Sequence, residues 1–155
     1  MATPVGHTLI GLAIARRLGV RSPLGMAAAA VGACLPDADV VAGIALYGDP
    51  WKLHRKATHT PGFALSAGML AGFAGLVSAG NAEGERDLVA DAFTGAAIVG
   101  SHILLDRFKL PPYISTKPGA PSRLRNEAVN WVLDLLVYGS IAWLVWPRGG
   151  ALRED

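Results

Sequence analysis

The residues of this sequence best suited to metal chemistry are four histidines and a few isolated aspartates. His102 and Asp106, in the segment SHILLD, are four residues apart, so a helix would present both side chains on one face. An imidazole and a carboxylate on one face can bind one metal ion, or the carboxylate can orient an imidazole that binds it. The alternative is that the two side chains form a structural polar pair at the end of a helix and bind no ion.

A second element, LPDAD, contains Asp37 and Asp39. Pro36 disfavours a regular helix at this point, so one carboxylate of an irregular turn can bind an ion while the other bridges or orients. Ordinary turn chemistry, in which aspartate side chains bond to nearby backbone, is the alternative. LPDAD therefore adds two candidate ligands and leaves both interpretations open.

A third element, HRKATHT, contains His54 and His59 with Arg55 between them. Five residues turn a helix by about 140°, so the two imidazoles would not share one face of a regular helix. We expect them to reach a site from a loop and from the start of a helix. Arg55 can hold an anionic oxygen through its two-pronged guanidinium group, although a basic residue in a loop is more often only solvated. His7 alone does not distinguish a ligand from a structural residue.

The elements that must position these residues are apolar segments that the sequence predicts as helices. They cover about residues 4–18, 23–46, 61–80, 91–108 and 127–146. If successive helices run antiparallel, every histidine and isolated aspartate converges on one pole of a bundle. Ligands converging there would suffice for two metal ions. Only the 61–80 segment, which has 20 residues without a charge, is expected to cross about 30 Å of hydrocarbon unaided.

The composition favours a membrane protein. Of 155 residues, 52% are hydrophobic and 17% are charged, and the mean hydropathy is +0.37. Soluble domains average about 25% charged residues, so this chain has little charge to cover a surface in water. Asp134 lies within the last segment, and we expect it to face the helix of His102 and Asp106, because a carboxylate in hydrocarbon is costly.

The predicted fold class is all-α, a membrane-embedded bundle of about five helices with polar metal-binding residues at one pole. Residues 1–155 are predicted to form a single helical membrane domain. The 14 basic and 12 acidic residues are scattered and aromatic residues are few, so no nucleic-acid partner is expected. Mixed His and Asp ligation without cysteine suits a hydrolytic centre better than a structural zinc site. Zinc is the preferred ion, with manganese or iron as alternatives.

Taken in order, His7, LPDAD, HRKATHT and HILLD resemble the motifs of a family of bacterial and archaeal inner-membrane metal-dependent hydrolases, some of them described as LexA-binding and inner membrane-associated. The similarity runs from residue 7 to residue 106. The sequence departs from the pattern at Lys56, where the family often has Gly, and at Thr60, where it has Ser. The resemblance implies a multi-pass protein of the inner (plasma) membrane. It also implies a metal-site role for His7, Asp37, Asp39, His54, His59, His102 and Asp106.

The favoured function is a membrane-bound metal-dependent hydrolase of a phosphoester or lipid-like substrate. It would use a metal-activated water, with Asp39 as the expected proton acceptor and Arg55 stabilising the anionic transition state. The expected partners are membrane lipid and a small-molecule or lipid substrate, and the resemblance adds a protein regulator.

Two alternatives stay open. The first is a non-catalytic membrane protein whose polar pole binds a metal or a partner, including a regulator in a DNA-damage response. The second is a transporter that uses Asp106 and Asp134 as an ion path.

Overall fold

The computed structural model describes residues 3–79, 88–108 and 123–147, and these residues form helices and connecting turns without strands. The helices are α1 (Pro4–Arg17), α2 (Pro23–Cys34), α3 (Ala38–Tyr47), α4 (Pro61–Ala79), α5 (Leu88–Phe108) and α6 (Arg123–Val145). A short 3-10 turn, Leu35–Asp37, joins α2 to α3. The two helices together form the interrupted second segment, so the all-helical prediction of about five segments is confirmed. One domain over residues 1–155 stays a prediction.

Proline and a preceding hydroxyl residue define several helix starts. Pro23 begins α2, and the Ser22 hydroxyl accepts a hydrogen bond from the backbone N–H of Gly25 at 3.1 Å. Pro61 begins α4, and the Thr60 hydroxyl accepts from a backbone N–H one turn later at 3.2 Å. Proline suits the first helical position because its missing N–H has no partner within the helix. The helix starts are therefore set locally.

Helix α1 is central to the bundle, because it packs against α2, α5 and α6, while α4 packs against α5. Small residues permit these approaches. A Cβ atom added to Gly11 would overlap Ala33 of α2, and one added to Gly68 would overlap the backbone of α5 at Ala92. In hydrocarbon, small residues let helix backbones come close and gain contact. The bundle is therefore built on narrow contacts between small residues.

Three helices of the described residues are long and apolar enough to span a membrane: Pro23–Tyr47, Leu88–Phe108 and Asn126–Val145. Their outward faces carry exposed apolar side chains, such as Leu24 and Val89. The expectation that only the 61–80 segment spans unaided is wrong, because the other three tolerate isolated charged residues within their apolar length.

Asp134 of α6 is fully buried, as expected, but its carboxylate contacts α1. Its Oδ2 accepts a hydrogen bond from the backbone N–H of Thr3, immediately before α1 begins. The prediction that Asp134 faces α5 therefore needs correction, since its carboxylate contacts the start of α1. The first backbone N–H groups of a helix have no intrahelical partner and carry partial positive charge, so they compete well for a buried carboxylate.

Candidate metal centre

Side chains from separate parts of the chain meet where α1 begins and α2 and α5 end. We call them the histidine cluster. Its members are His7 of α1, Asp37 of the 3-10 turn, Asp39 of α3, His54 and His59 of the 48–60 loop, and His102 and Asp106 of α5. The rings of His7 and His102 stack with centroids 3.6 Å apart. The structure therefore brings together every ligand residue that the sequence proposed.

The histidine cluster is closed on most sides. His102 is completely buried, and His7 and Asp106 are nearly so. The exception is the side chain of Asp37, which is 25% exposed, and beside the cluster the side chain of Arg55 is 40% exposed. A small molecule could therefore reach the cluster along the edge formed by Asp37 and Arg55.

Five members of the cluster form an inner ring of closely spaced ligand atoms. Asp106 Oδ1 lies 3.4 Å from His7 Nε2, and Asp106 Oδ2 lies 3.5 Å from His59 Nε2. Asp37 Oδ1 lies 3.8 Å from His59 Nε2 and 3.5 Å from His102 Nε2. Two ligands at about 2.1 Å from a tetrahedral ion are about 3.4 Å apart. Neighbouring ring atoms therefore have the spacing of atoms that share a metal ion, in the two groups His7, His102, Asp106 and Asp37, His59, His102.

Several atoms of the histidine cluster also lack hydrogen-bond partners. The Nε2 atoms of all four histidines, and Oδ1 of Asp106, are buried without a partner among the described residues. A buried polar atom left unsatisfied costs about 1–3 kcal/mol, so several in one place call for an explanation. Each of these residues belongs to a group that could hold a metal ion, so coordination in these groups would satisfy the atoms. The residues present thus fit a metal ion.

Two imidazoles are oriented by acceptors at their other ring nitrogen. His102 Nδ1 donates to the backbone carbonyl of Ala33 at 2.7 Å, since a carbonyl can only accept. His54 Nδ1 lies 2.9 Å from Asp39 Oδ1. A proton on Nδ1 leaves the lone pair on Nε2, which is the usual arrangement for a metal-binding histidine with an acceptor behind it.

Asp39 holds the 48–60 loop in place. Its Oδ1 faces His54 Nδ1, and its Oδ2 accepts from the backbone N–H of Arg55 at 3.1 Å and from the hydroxyl of Thr58. Thr58 was missed by the sequence analysis, and the only local signal for it was a hydroxyl next to His59. Both oxygens of Asp39 are thus already engaged.

Arg55 lies over the carboxylate of Asp106. Its Nη2 donates to Asp106 Oδ2 at 3.0 Å. Its backbone has φ 63°, which is unusual for a residue other than glycine. The bond from its N–H to Asp39 compensates for this conformation. The loop therefore directs the predicted anion-binding residue towards the inner ring.

Burial lowers the pKa of His59 from its ordinary value of 6.5, and the neighbouring His102 and His54 lower the pKa further. The carboxylates of Asp106 and Asp39 oppose this effect. A lowered pKa means that His59 is neutral at neutral pH, which is the form that binds metal ions.

Comparison with known proteins gives one match. The sequence model of the YdjM inner membrane protein family matches residues 1–151. No curated protein and no solved structure matches the chain. Together with the three spanning helices, the match confirms the predicted location in the inner membrane. Metal dependence and hydrolysis stay predictions. Because the match covers nearly the whole chain, the protein belongs to the YdjM inner membrane protein family.

Proposed function

We propose that the protein is a membrane-bound metal-dependent hydrolase with its metal ion in the histidine cluster. The observation that carries the proposal is the group of buried Nε2 atoms without partners, spaced 3.4–3.8 Å from the oxygens of two carboxylates. A set of nitrogen and oxygen donors without a thiolate suits catalytic zinc, and also manganese or iron.

The inner ring supplies the ligands of this proposal. His7, His102 and Asp106 form one group that would hold an ion on the buried side, and Asp37, His59 and His102 form a second group at the open edge. When bound, the ion would lower the pKa of a water ligand towards neutrality and polarise the bond to be cleaved. The exposure of Asp37 leaves room for a substrate on that side.

Arg55 would bind the substrate. One of its nitrogens contacts Asp106, and its half-exposed guanidinium has further N–H donors for an anionic oxygen. Such donors favour an anionic ester, and a phosphoester above all, since they would stabilise the charge of its transition state. Trp51 is 60% exposed and its ring lies edge-on to His54, with centroids 5.4 Å apart. Exposed aromatic residues are typical of the membrane interface, which supports a lipid-like substrate.

Asp39 has a positioning role in this proposal. The sequence predicts Asp39 as a ligand and proton acceptor, and Asp39 lies with His54 and His59 in one of the groups that could hold a metal ion. Its two oxygens already accept from His54, Arg55 and Thr58, three residues of the 48–60 loop. This carboxylate would instead hold the loop that carries His59 and Arg55.

A non-catalytic metal-binding membrane protein is the second candidate. The near-complete burial of His7, His102 and Asp106 favours it, because a closed site holds an ion without exposing it to a substrate. A protein regulator as partner also stays a prediction.

The two candidates are separated by metal content and turnover measured on the same purified, detergent-solubilised protein. We expect stoichiometric metal and chelator-sensitive hydrolysis within a panel of phosphomonoesters, phosphodiesters and glycerophospholipids. Arg55→Gly should keep the metal and lose turnover, whereas the exposed neighbour Lys56→Gln is the matched control. Metal without turnover on the whole panel would favour the second candidate, and protein that binds no divalent ion would contradict both.

A further inference from the structure

The hydroxyl of Thr58 lies between Asp39 and His59. Its Oγ1 donates to Asp39 Oδ2 and lies 3.1 Å from His59 Nδ1. A hydroxyl has one proton but two acceptor lone pairs. Because the proton of Thr58 points to the carboxylate, Oγ1 faces His59 Nδ1 with a lone pair. The hydroxyl can therefore only accept from that ring nitrogen.

We propose that Thr58 is a positioning residue that fixes the tautomer of His59, with the proton on Nδ1 and the lone pair on Nε2. In the other tautomer, the lone pair of Nδ1 would face the Thr58 oxygen and also Asp39 Oδ2, which is 3.6 Å away. Because the Thr58 proton already bonds Asp39 Oδ2, no proton would then lie between Nδ1 and either of these two oxygens.

The fixed tautomer points the His59 lone pair at the inner ring. His59 Nε2 lies 3.5 Å from Asp106 Oδ2 and 3.8 Å from Asp37 Oδ1. A proton on Nε2 would prevent this atom from binding an ion, and the buried Nε2 has no hydrogen-bond acceptor among the described residues. The expected effect of Thr58 on metal affinity rests on the proposed metal centre.

The role of Thr58 parallels that of the acceptors behind the neighbouring histidines. His102 uses the carbonyl of Ala33, and His54 uses Asp39 directly. His59 reaches the same carboxylate through the hydroxyl of Thr58. Removal of an acceptor behind a metal-binding histidine typically costs about 10- to 100-fold in metal affinity.

The test compares Thr58→Val, which removes the hydroxyl and keeps the branched shape, with Thr58→Ser, which keeps the hydroxyl. Thr60→Val is the matched control, because the Thr60 hydroxyl bonds only to backbone, at Ala57 and Phe63. Imidazole nitrogen NMR of the metal-free protein reads the tautomer, with His59 assigned by its absence in His59→Gln. Competition with a chelator gives the Zn²⁺ affinity, and thermal unfolding controls for stability.

We expect wild type and Thr58→Ser to carry the His59 proton on Nδ1. Thr58→Val should show mixed tautomers and bind Zn²⁺ about 10- to 100-fold more weakly. Thr60→Val should unfold at a lower temperature and keep the wild-type tautomer and affinity. A wild-type His59 with its proton on Nε2 would overturn the inference, even if Thr58→Val fails to fold. So would a folded Thr58→Val with the wild-type tautomer and affinity. Because the tautomer is read without metal, a wild type that binds no Zn²⁺ would contradict only the proposed function.

Discussion

Two buried polar sites in this bundle differ in how their polar atoms are satisfied. In the α1–α6 contact, formed by Thr3, Gly6, Asp134 and Tyr138, the carboxylate of Asp134 accepts the Thr3 N–H at the start of α1. In the histidine cluster, by contrast, the Nε2 atoms have no partner among the described residues. Burial of a polar group in an apolar bundle therefore does not by itself indicate function. What indicates a ligand is a group of unpaired atoms close together, because a single one, Thr3 Oγ1, is also present in the α1–α6 contact.

The α1–α6 contact also helps to position the histidine cluster. A Cβ atom added to Gly6 would lie 2.5 Å from Tyr138 Cδ2 and 2.9 Å from Asp134 Oδ2. Only glycine fits here without displacement of α6. His7 is the next residue, so the contact that places α1 against α6 also places one imidazole of the histidine cluster.

The largest effect is expected from His102→Ala. This change removes a ligand that belongs to two of the possible metal groups, so stoichiometric metal binding should be lost, with a loss of affinity above the roughly 100-fold that an orienting residue contributes. The protein should stay folded in detergent. Ser101→Ala is the control, since the Ser101 hydroxyl bonds only to the backbone of its own helix. A folded His102→Ala protein with its full metal content would refute the site.

Arg55→Gly should separate substrate chemistry from metal binding. Glycine adopts the left-handed backbone of this position freely, so the loop should persist while the guanidinium is lost. We expect hydrolysis to fall by about 10²- to 10³-fold, which is typical for loss of one transition-state donor. Metal analysis and turnover on the same sample check this. If metal and activity are lost together, the role of Arg55 would instead be to position the carboxylate of Asp106.

A change in the α1–α6 contact should lower stability instead of metal binding or hydrolysis. Gly6→Ala introduces the overlap with Tyr138 described above, and we expect a loss of stability of about 1–3 kcal/mol. Gly139→Ala on α6 is the control, because its nearest neighbour would be Leu9 at 3.9 Å. Thermal unfolding in detergent measures both. A Gly6→Ala protein that is as stable as wild type but binds metal poorly would place this contact within the metal site.

Asp134→Asn should have a smaller effect than Asp134→Leu. The amide oxygen of asparagine can still accept the Thr3 N–H, whereas leucine leaves that donor buried and unpaired, at a cost of about 1–3 kcal/mol. Unfolding temperatures of the two variants give the comparison. Equal stability of Asp134→Leu and wild type would remove the structural role of this carboxylate.

The smallest effect concerns pH. The pKa of His59 is lowered in the folded protein, so the unfolded chain takes up a proton first as the pH falls below 6.5. The metal-free protein should keep its full stability above that value and lose some of it as the pH falls through the lowered pKa. Thermal unfolding between about pH 7 and pH 5 measures the decrease. His59→Gln should weaken the pH dependence of stability. If that dependence is unchanged, other titrating groups cause it.

Much of the helical framework could be predicted from local patterns. Pro23 and Pro61 begin helices where a capping hydroxyl precedes them, and the spacing of His102 and Asp106 places both on one face of α5. The loop from residue 48 to residue 60 could not be predicted in this way. Its conformation depends on Asp39, which accepts hydrogen bonds from residues 15 to 19 positions later.

The sequence by itself determined which residue types are present, the apolar lengths of the helices and the order in which the candidate ligands follow one another. Hydrophobic patterning and helix-start residues act over one or two turns, so these features are local. Only the tertiary structure decided which ring nitrogens of the histidines lack a partner among the described residues, that Asp39 holds the loop and that Asp134 contacts α1. These outcomes depend on which donors meet which acceptors once distant segments come together.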